Sequence, residues 1–335
     1  MEGRPKAVRV DKTIDRDAIK EEREELAKVN AELVLAECQT EEETIEATRD
    51  ADAVLTMFGQ MTRRVIESSP KLKVIVRYGI GYDTVDVNAA TDNGVLVVNL
   101  PGFCLEEVAD HTFGLLLACV RRIVYYNNLT KSGYWAKYSE MSPMHSFAGQ
   151  TLGIIGCGTI GRAVARRAEG FNLKVLGADP YVSASVAREH GITLVSMPEL
   201  LKESDFVSVH SLLGKETRHL VGEKEFRQMK PTAYFINTSR GPVVDEAALI
   251  KALREKWIAG AGIDVFEQEP VDPDNPLLKM DNVVVTPHNA GWSDAAGRRA
   301  RILVGQEAAR VITGRWPTHW VNKEVKPKFK LVKGD

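Results

Sequence analysis

Three glycines in the segment Thr151-Leu-Gly-Ile-Ile-Gly-Cys-Gly-Thr-Ile-Gly161 constrain this chain more than any other feature. Gly156, Gly158 and Gly161 occupy the Gly-x-Gly-x-x-Gly positions, after an apolar run, Leu152 to Ile155, that reads as a buried strand. Arg162 to Glu169 reads as a helix, and a second apolar strand, Leu173 to Ala178, ends at Asp179. The first glycine permits a tight turn, the second lets backbone approach a pyrophosphate, and the third lets helix and strand pack closely. Helix N-terminal N–H groups then face the phosphate charge. Asp179 is placed to accept hydrogen bonds from both adenosine ribose hydroxyls and to repel a 2′-phosphate, which favours NAD over NADP. A glycine triplet alone is also what a plain αβ turn uses. Strand, glycines, helix, strand and acid in one register point to a dinucleotide instead.

A chain of 335 residues suggests two domains. A formal net charge of −2 gives no reason to expect nucleic acid or an anionic membrane surface. Cys38, Cys104, Cys119 and Cys157 have neither metal-ligand spacing nor the pattern of a disulfide framework. They read as small buried apolar side chains in a reducing, cytoplasmic compartment. The charged N-terminus lacks the apolar core of a signal peptide, and Phe113 to Val120 is too short to span a bilayer.

Before the fingerprint, short apolar strands (Ala7 to Val10, Leu33 to Ala36, Ala53 to Met57, Val74 to Arg77, Leu96 to Asn99) alternate with helical patterns. The helical patterns cover Arg16 to Lys28, Glu41 to Arg49, Arg63 to Glu67 and Val85 to Asp92. That alternation predicts a parallel sheet wound by helices on both faces. After Pro101-Gly102, apolar spacing predicts one long helix from Leu105 to Ser132. Phe206 to His210, Ala233 to Asn237, Ala259 to Asp264 and Val283 to Thr286 continue a second series of strands, and Ala296 to Thr313 reads as the last helix. The lysine- and proline-rich stretch after Asn322 reads as extended or frayed. The fold expected is α/β, with two doubly wound parallel-sheet domains and a ligand cleft between them.

Three polar clusters stand just beyond strand ends, where open α/β sheets bind ligands. They are Asn237-Thr-Ser-Arg240-Gly-Pro, Asp264-Val-Phe-Glu-Gln-Glu269-Pro and Thr286-Pro-His288-Asn-Ala-Gly-Trp292. Together they offer a guanidinium, a carboxylate and an imidazole. Reducing a 2-keto acid puts negative charge on the carbonyl oxygen, which a protonated histidine neutralises by giving up its proton. A neighbouring carboxylate favours the imidazolium, and an arginine can clamp the substrate carboxylate in bidentate fashion. Each residue also has a plainer use, as a strand-end cap, a solvated loop acid or a turn residue. His111 lies near the start of the predicted long helix and could approach the cleft. No cluster has metal-ligand spacing.

The ordered motifs resemble the D-2-hydroxyacid dehydrogenase family. They run from Val76-Arg-Tyr-Gly-Ile-Gly-Tyr-Asp-Thr-Val-Asp86, through Glu107-Val-Ala-Asp-His-Thr112, the fingerprint and the three clusters, to Trp320-Val-Asn-Lys323. The resemblance implies a flavodoxin-like substrate domain, residues 1–101 plus 297–335, and a Rossmann NAD-binding domain, residues 102–296. It implies a triad in which His288 is the acid/base, Glu269 its partner and Arg240 the substrate clamp. Backbone N–H groups around Gly79, Ile80 and Gly81 would hold the substrate carboxylate, with Arg77 and Tyr78 beside them. Thr159 and Ile160 would lie on the pyrophosphate, and Asp264 on the nicotinamide carboxamide. Ser211, Leu212, Thr217, Thr238, Ser239, His288 and Gly291 would border the cofactor.

Within the family, Arg77 and the ending Gly314-Arg-Trp-Pro…Val-Asn-Lys323 look most like the branch of C-terminal-binding-protein co-repressors. That branch places a tryptophan three residues after the histidine. Here Gly291 stands there and Trp292 follows. Phosphoglycerate-type relatives carry arginines near the third strand end, where this chain has Thr56-Met-Phe-Gly-Gln60, so an unphosphorylated acid is expected. Met57, Phe58 and Trp292 suggest a modest or apolar substrate side chain. The expected function is NAD-dependent interconversion of a D-2-hydroxy acid and its 2-keto acid by a homodimer. The alternative is an NAD-binding co-repressor-like dimeric scaffold.

Overall fold

A computed structural model describes residues 4–141 and 144–332. The chain divides into two compact units, Met1–Phe103 with Ser293–Asp335, and Cys104–Trp292.

The first unit alternates β1 (Lys6–Asp11), α1 (Lys20–Ala27), β2 (Glu32–Glu37), α2 (Glu41–Thr48), β3 (Ala53–Thr56), α3 (Arg63–Glu67), β4 (Val74–Arg77), α4 (Val87–Asp92) and β5 (Leu96–Val98). Its five strands are all parallel, in the order β2-β1-β3-β4-β5. Strands buried on both faces must be apolar nearly throughout, and β3 and β5 are entirely buried. Thr40 opens α2 with a capping box: its hydroxyl accepts from Glu43 N–H, and the Glu43 carboxylate accepts from Thr40 N–H. The C-terminal helix, Asp294–Ile312, presses on α1 at Gly305, where an added Cβ would lie 2.9 Å from Glu22 Cα. Residues 323–332 are fastened rather than frayed. Asn322 takes the Val97 N–H and donates to Val95 O, Val325 is buried, and Arg315 pairs with Val332. Buried partners decide against the disorder that its composition suggests.

The second unit opens with α5 (Leu105–Val120) and α6 (Ile123–Lys131). The single long helix expected here is broken, because Arg122 adopts a left-handed conformation (φ 50°) and stacks its guanidinium 4.1 Å from the Tyr125 ring centroid. Next come β6 (Thr151–Ile155), α7 (Thr159–Gly170), β7 (Lys174–Ala178), α8 (Ala184–Glu189), β8 (Thr193–Leu194) and α9 (Met197–Glu203). The unit closes with β9 (Phe206–Val209), α10 (Glu223–Phe226), β10 (Tyr234–Asn237), α11 (Glu246–Arg254), β11 (Gly260–Ile263) and β12 (Val283–Val285). The sheet runs β12-β11-β10-β9-β6-β7-β8, again all parallel. Its order reverses between β6 and β9, so their carboxyl ends form the topological switch point.

Candidate active site

The fingerprint turn lies at that switch point in the second unit. Gly156 has φ +91°, and a Cβ there would come within 2.8 Å of Ser211 N. A Cβ on Gly161 would lie 2.2 Å from Gly156 O, so only glycine lets α7 sit this close to the turn. At Gly158 an added Cβ meets nothing within 4 Å: this face is open. Gly158 is also the N-cap of α7 and has no side chain to spend on the first-turn N–H groups, including those near Thr159 and Ile160. Asp179 is half-buried and aimed by its neighbours. One oxygen accepts from Cys157 N–H at 2.8 Å, the other from Tyr181 N–H at 2.8 Å and Val182 N–H at 3.2 Å. An open backbone face, uncapped helix N–H groups and an oriented carboxylate fit a pyrophosphate joined to a ribose diol. Thr217 folds the loop after β9 by donating to Leu212 O and accepting from Gly214 N–H, which leaves Leu212 exposed.

The three polar clusters follow β10, β11 and β12. Asn237 braces the first, donating to Arg240 O and accepting from Ser239 N–H. Thr238 is buried against Thr112 of α5, with 3.0 Å between the hydroxyl oxygens. Gly241 brings this loop against the second cluster: an added Cβ would fall 1.9 Å from the carbonyl carbon and oxygen of Phe266. Arg240 donates from Nη1 to Ser239 O at 2.8 Å.

Glu269 takes the Phe266 N–H at 3.0 Å on Oε1 and faces His288 Nδ1 at 2.7 Å on Oε2. Burial pushes its carboxyl up. The His288 hydrogen bond and charge, the Phe266 N–H and the Arg240 charge outweigh burial and hold it below the usual range. His288 itself sits at φ +53°, a conformation rare for a side-chain-bearing residue. Asp264 holds it there. The Asp264 carbonyl accepts from His288 N–H at 2.7 Å, and its carboxylate accepts from Asn289 N–H, Ala290 N–H and the Thr286 hydroxyl. Asp264 is completely buried, and both its oxygens serve the histidine loop. His111, near the start of α5, lies 2.9 Å from the Thr286 hydroxyl through Nε2 and supports the same loop. Gly291 faces Cys104, whose sulfur would lie 3.1 Å from an added Cβ, while Trp292 is 63% exposed.

In the first unit, Arg77 and Tyr78 are both buried at the end of β4. Arg77 folds back over Gly79: its Nη1 donates to Tyr78 O at 2.8 Å and stands 1.6 Å from where a Gly79 Cβ would be. Tyr78 turns inward and donates its hydroxyl to Glu22 at 2.9 Å, so its ring serves the interior. Ile80 is half-buried and accepts from Asn99 through its carbonyl, and Gly81 is buried.

Among the described residues no helix is long and apolar enough to cross a membrane, and no cluster of His, Cys, Asp and Glu could hold a metal ion. The family model described as "D-isomer specific 2-hydroxyacid dehydrogenase, NAD binding domain" matches residues 113–290. A glyoxylate reductase of Korarchaeum cryptofilum is 45% identical over 284 residues, 84% of this chain and 86% of its own. The NADPH-dependent glyoxylate/hydroxypyruvate reductase of Sinorhizobium meliloti, solved with NADP and malonate, superposes with a TM-score of 0.84 at 29% identity, covering 98% of this chain and 100% of its own. The D-lactate dehydrogenase of Aquifex aeolicus, solved with NAD and lactic acid, gives 0.80 at 29% identity, covering 92% and 94%. These relatives are named as reductases and a dehydrogenase, and they do not confirm the co-repressor branch that Arg77 and the C-terminal ending suggested.

Proposed function

The chain belongs to the D-isomer specific 2-hydroxyacid dehydrogenase family, an NAD-dependent oxidoreductase of 2-hydroxy and 2-keto acids, and on that premise we propose that it reduces glyoxylate and similarly small, unphosphorylated 2-keto acids. The observation that carries this reading is the 2.7 Å pair between His288 Nδ1 and Glu269. With Nδ1 directed at the carboxylate, Nε2 is the nitrogen that gives its proton to the carbonyl oxygen. Glu269, ionised because its carboxyl is held low, fixes the ring and stabilises the imidazolium. Bound NADH supplies the hydride to the carbonyl carbon. Arg240 clamps the substrate carboxylate, and its charge favours the developing alkoxide. Asp179 selects NAD through the ribose hydroxyls. Thr56 to Gln60 contains no cation to receive a phosphate, which supports an unphosphorylated substrate.

The working protein in this proposal is a cytoplasmic homodimer. Ile123, Val124, Tyr134, Trp135 and Tyr138 expose apolar surface along one segment, a feature that favours a protein partner. Four buried cysteines suit a reducing compartment. The test follows NADH absorbance with glyoxylate, pyruvate and longer 2-keto acids, comparing wild type with His288→Asn and Arg240→Gln. Robust turnover of glyoxylate that disappears in both variants is expected. Unchanged turnover in either variant removes that residue's role, and no turnover of any 2-keto acid by wild type removes the substrate class.

A further inference from the structure

The turn Phe266–Glu269, which follows β11, carries two histidine–carboxylate pairs, and the chemistry proposed above uses one of them. The Phe266 N–H donates to Glu269, which closes the turn, and Glu269 faces His288. Glu267, two residues earlier, faces a second imidazole: its Oε1 lies 2.6 Å from His219 Nε2. A carboxylate only accepts, so His219 Nε2 carries the proton. His219 lies in the stretch between β9 and α10, at φ +53°. Its own N–H donates to Pro242 O at 2.8 Å, Val221 N–H donates to Val243 O, and Asp245 N–H donates to Val221 O. The chain from His219 to Val221 thus runs beside the residues that follow Arg240. One residue holds the Arg240 loop by its backbone and the Glu269 turn by its side chain.

The junction needs that donor. Glu246, the first residue of α11, and Glu267 each accept the other's backbone N–H, at 3.0 Å for Glu267 N–H and 3.4 Å for Glu246 N–H. Two carboxylates brought to one junction repel each other. Asn275 donates to Glu246 at 2.7 Å, and His219 donates to Glu267. Without His219, the hydrogen bond left to the Glu267 carboxylate among the described residues is the 3.4 Å one, beside a like charge. The fit is also tight: a Cβ on Gly241, next to Arg240, would lie 2.5 Å from Glu267 N. A turn pushed outward here carries Glu269 with it.

We propose that His219 is a positioning residue that staples the Glu269 turn to the Arg240 loop and thereby sets where Glu269 meets His288. It acts through Glu269 and is not a catalytic residue. Both side chains of the His219–Glu267 pair are well exposed (44% and 35%), so the pair adds little to stability and its effect is on placement. The catalytic consequence rests on the function proposed above; the staple itself does not.

Two variants separate the staple from the backbone that carries it. Asparagine accepts a left-handed conformation readily but is too short to reach Glu267, whereas glutamine brings an amide donor close to where Nε2 stands. With glyoxylate and NADH, His219→Asn should lose about tenfold in kcat, as expected for a shift of about half an ångström when about 1 Å costs on the order of 100-fold. Its KM for NADH and its melting temperature should stay near those of wild type, and His219→Gln should recover most of the kcat. In a Glu269→Gln background His219→Asn should cost nothing further, because residues that act as a unit are not additive. The His288 Nδ1 proton, identified in NMR spectra by its loss in His288→Asn, should leave its downfield position in His219→Asn and keep it in His219→Gln. Full kcat in His219→Asn, an equal loss in His219→Gln, or the same loss on top of Glu269→Gln overturns the proposal. If wild type reduces no 2-keto acid, the function proposed above fails and the His288 resonance decides the staple: unmoved in His219→Asn, it overturns it.

Discussion

Glu269 and Glu22 meet similar partners and move in opposite directions. Each carboxylate faces a cationic or ionisable side chain and a second donor: His288 and the Phe266 N–H for Glu269, Arg9 and the Tyr78 hydroxyl for Glu22. Glu269 keeps about a third of its side chain in solvent (34%), and its partners win: the carboxyl is held below the ordinary value. Glu22 is fully buried between α1, the C-terminal helix and the sheet, and burial wins over Tyr78, Arg9 and Arg301: its carboxyl is raised. Counting partners therefore does not rank acids. Water access decides whether a partner suffices. The acid that is to stabilise a changing charge stands at a wet strand end, and the one that serves packing is sealed inside.

The largest effects should separate the two pairs by what they abolish. His288→Asn removes the imidazole facing Glu269, and kcat for glyoxylate should fall by about 10²–10⁴, the span of general acid–base catalysis, with little change in melting temperature. Arg9→Met removes the cation facing Glu22. Stopped-denaturant titration should show it destabilised by about 3–5 kcal/mol, the cost of leaving a buried ion unpaired, with kcat per folded molecule retained. A large loss of kcat in Arg9→Met with unchanged stability would break the contrast.

A geometric substitution comes next. Gly241→Ala puts a methyl group where the Phe266 carbonyl now sits, so the Arg240 loop and the Glu269 loop must separate. Displacement of about 1 Å at a catalytic group costs on the order of 100-fold in turnover. Gly158→Ala, at an open position, should fold as wild type and weaken NAD binding measured by titration calorimetry. If Gly241→Ala is fully active, the close approach of those loops does not set the site.

How much of this was legible in the sequence follows from what each signal encodes. Val74–Arg77 and Arg63–Glu67 lie where apolar runs and helical spacing put them, because a buried strand and an amphipathic turn write their periods into the chain. β8 escaped notice since two residues, Thr193 and Leu194, carry no period. The break at Arg122 is a backbone choice that apolar spacing does not register. The clusters carrying Arg240, Glu269 and His288 were visible as polar residues beyond strand ends, but the distance joining His288 to Glu269 is a property of the fold. Glu22 was hidden most thoroughly. It stands in Lys20-Glu-Glu-Arg-Glu-Glu, which reads as a solvated helix face, and only packing on Gly305 and β4 reveals it as interior.

The smallest effect is the sharpest test of the opening contrast, because it depends on sign. Glu269 has a folded-state value below the ordinary 4.5, so its ionised form stabilises the fold. That contribution is complete above about pH 4.5 and is lost as pH falls through the lowered value. Glu22 has a folded-state value above 4.5, so the fold favours its protonated form. Its contribution is complete below about pH 4.5 and is lost as pH rises through the raised value. Melting temperatures of wild type, Glu269→Gln and Glu22→Gln, recorded in steps from acid to neutral pH, should therefore diverge. The gap between wild type and Glu269→Gln should widen as pH rises and then level off. The gap between wild type and Glu22→Gln should shift against wild type as pH rises over the next interval. Two gaps that move in the same direction would mean that partners, not water access, set both carboxyls.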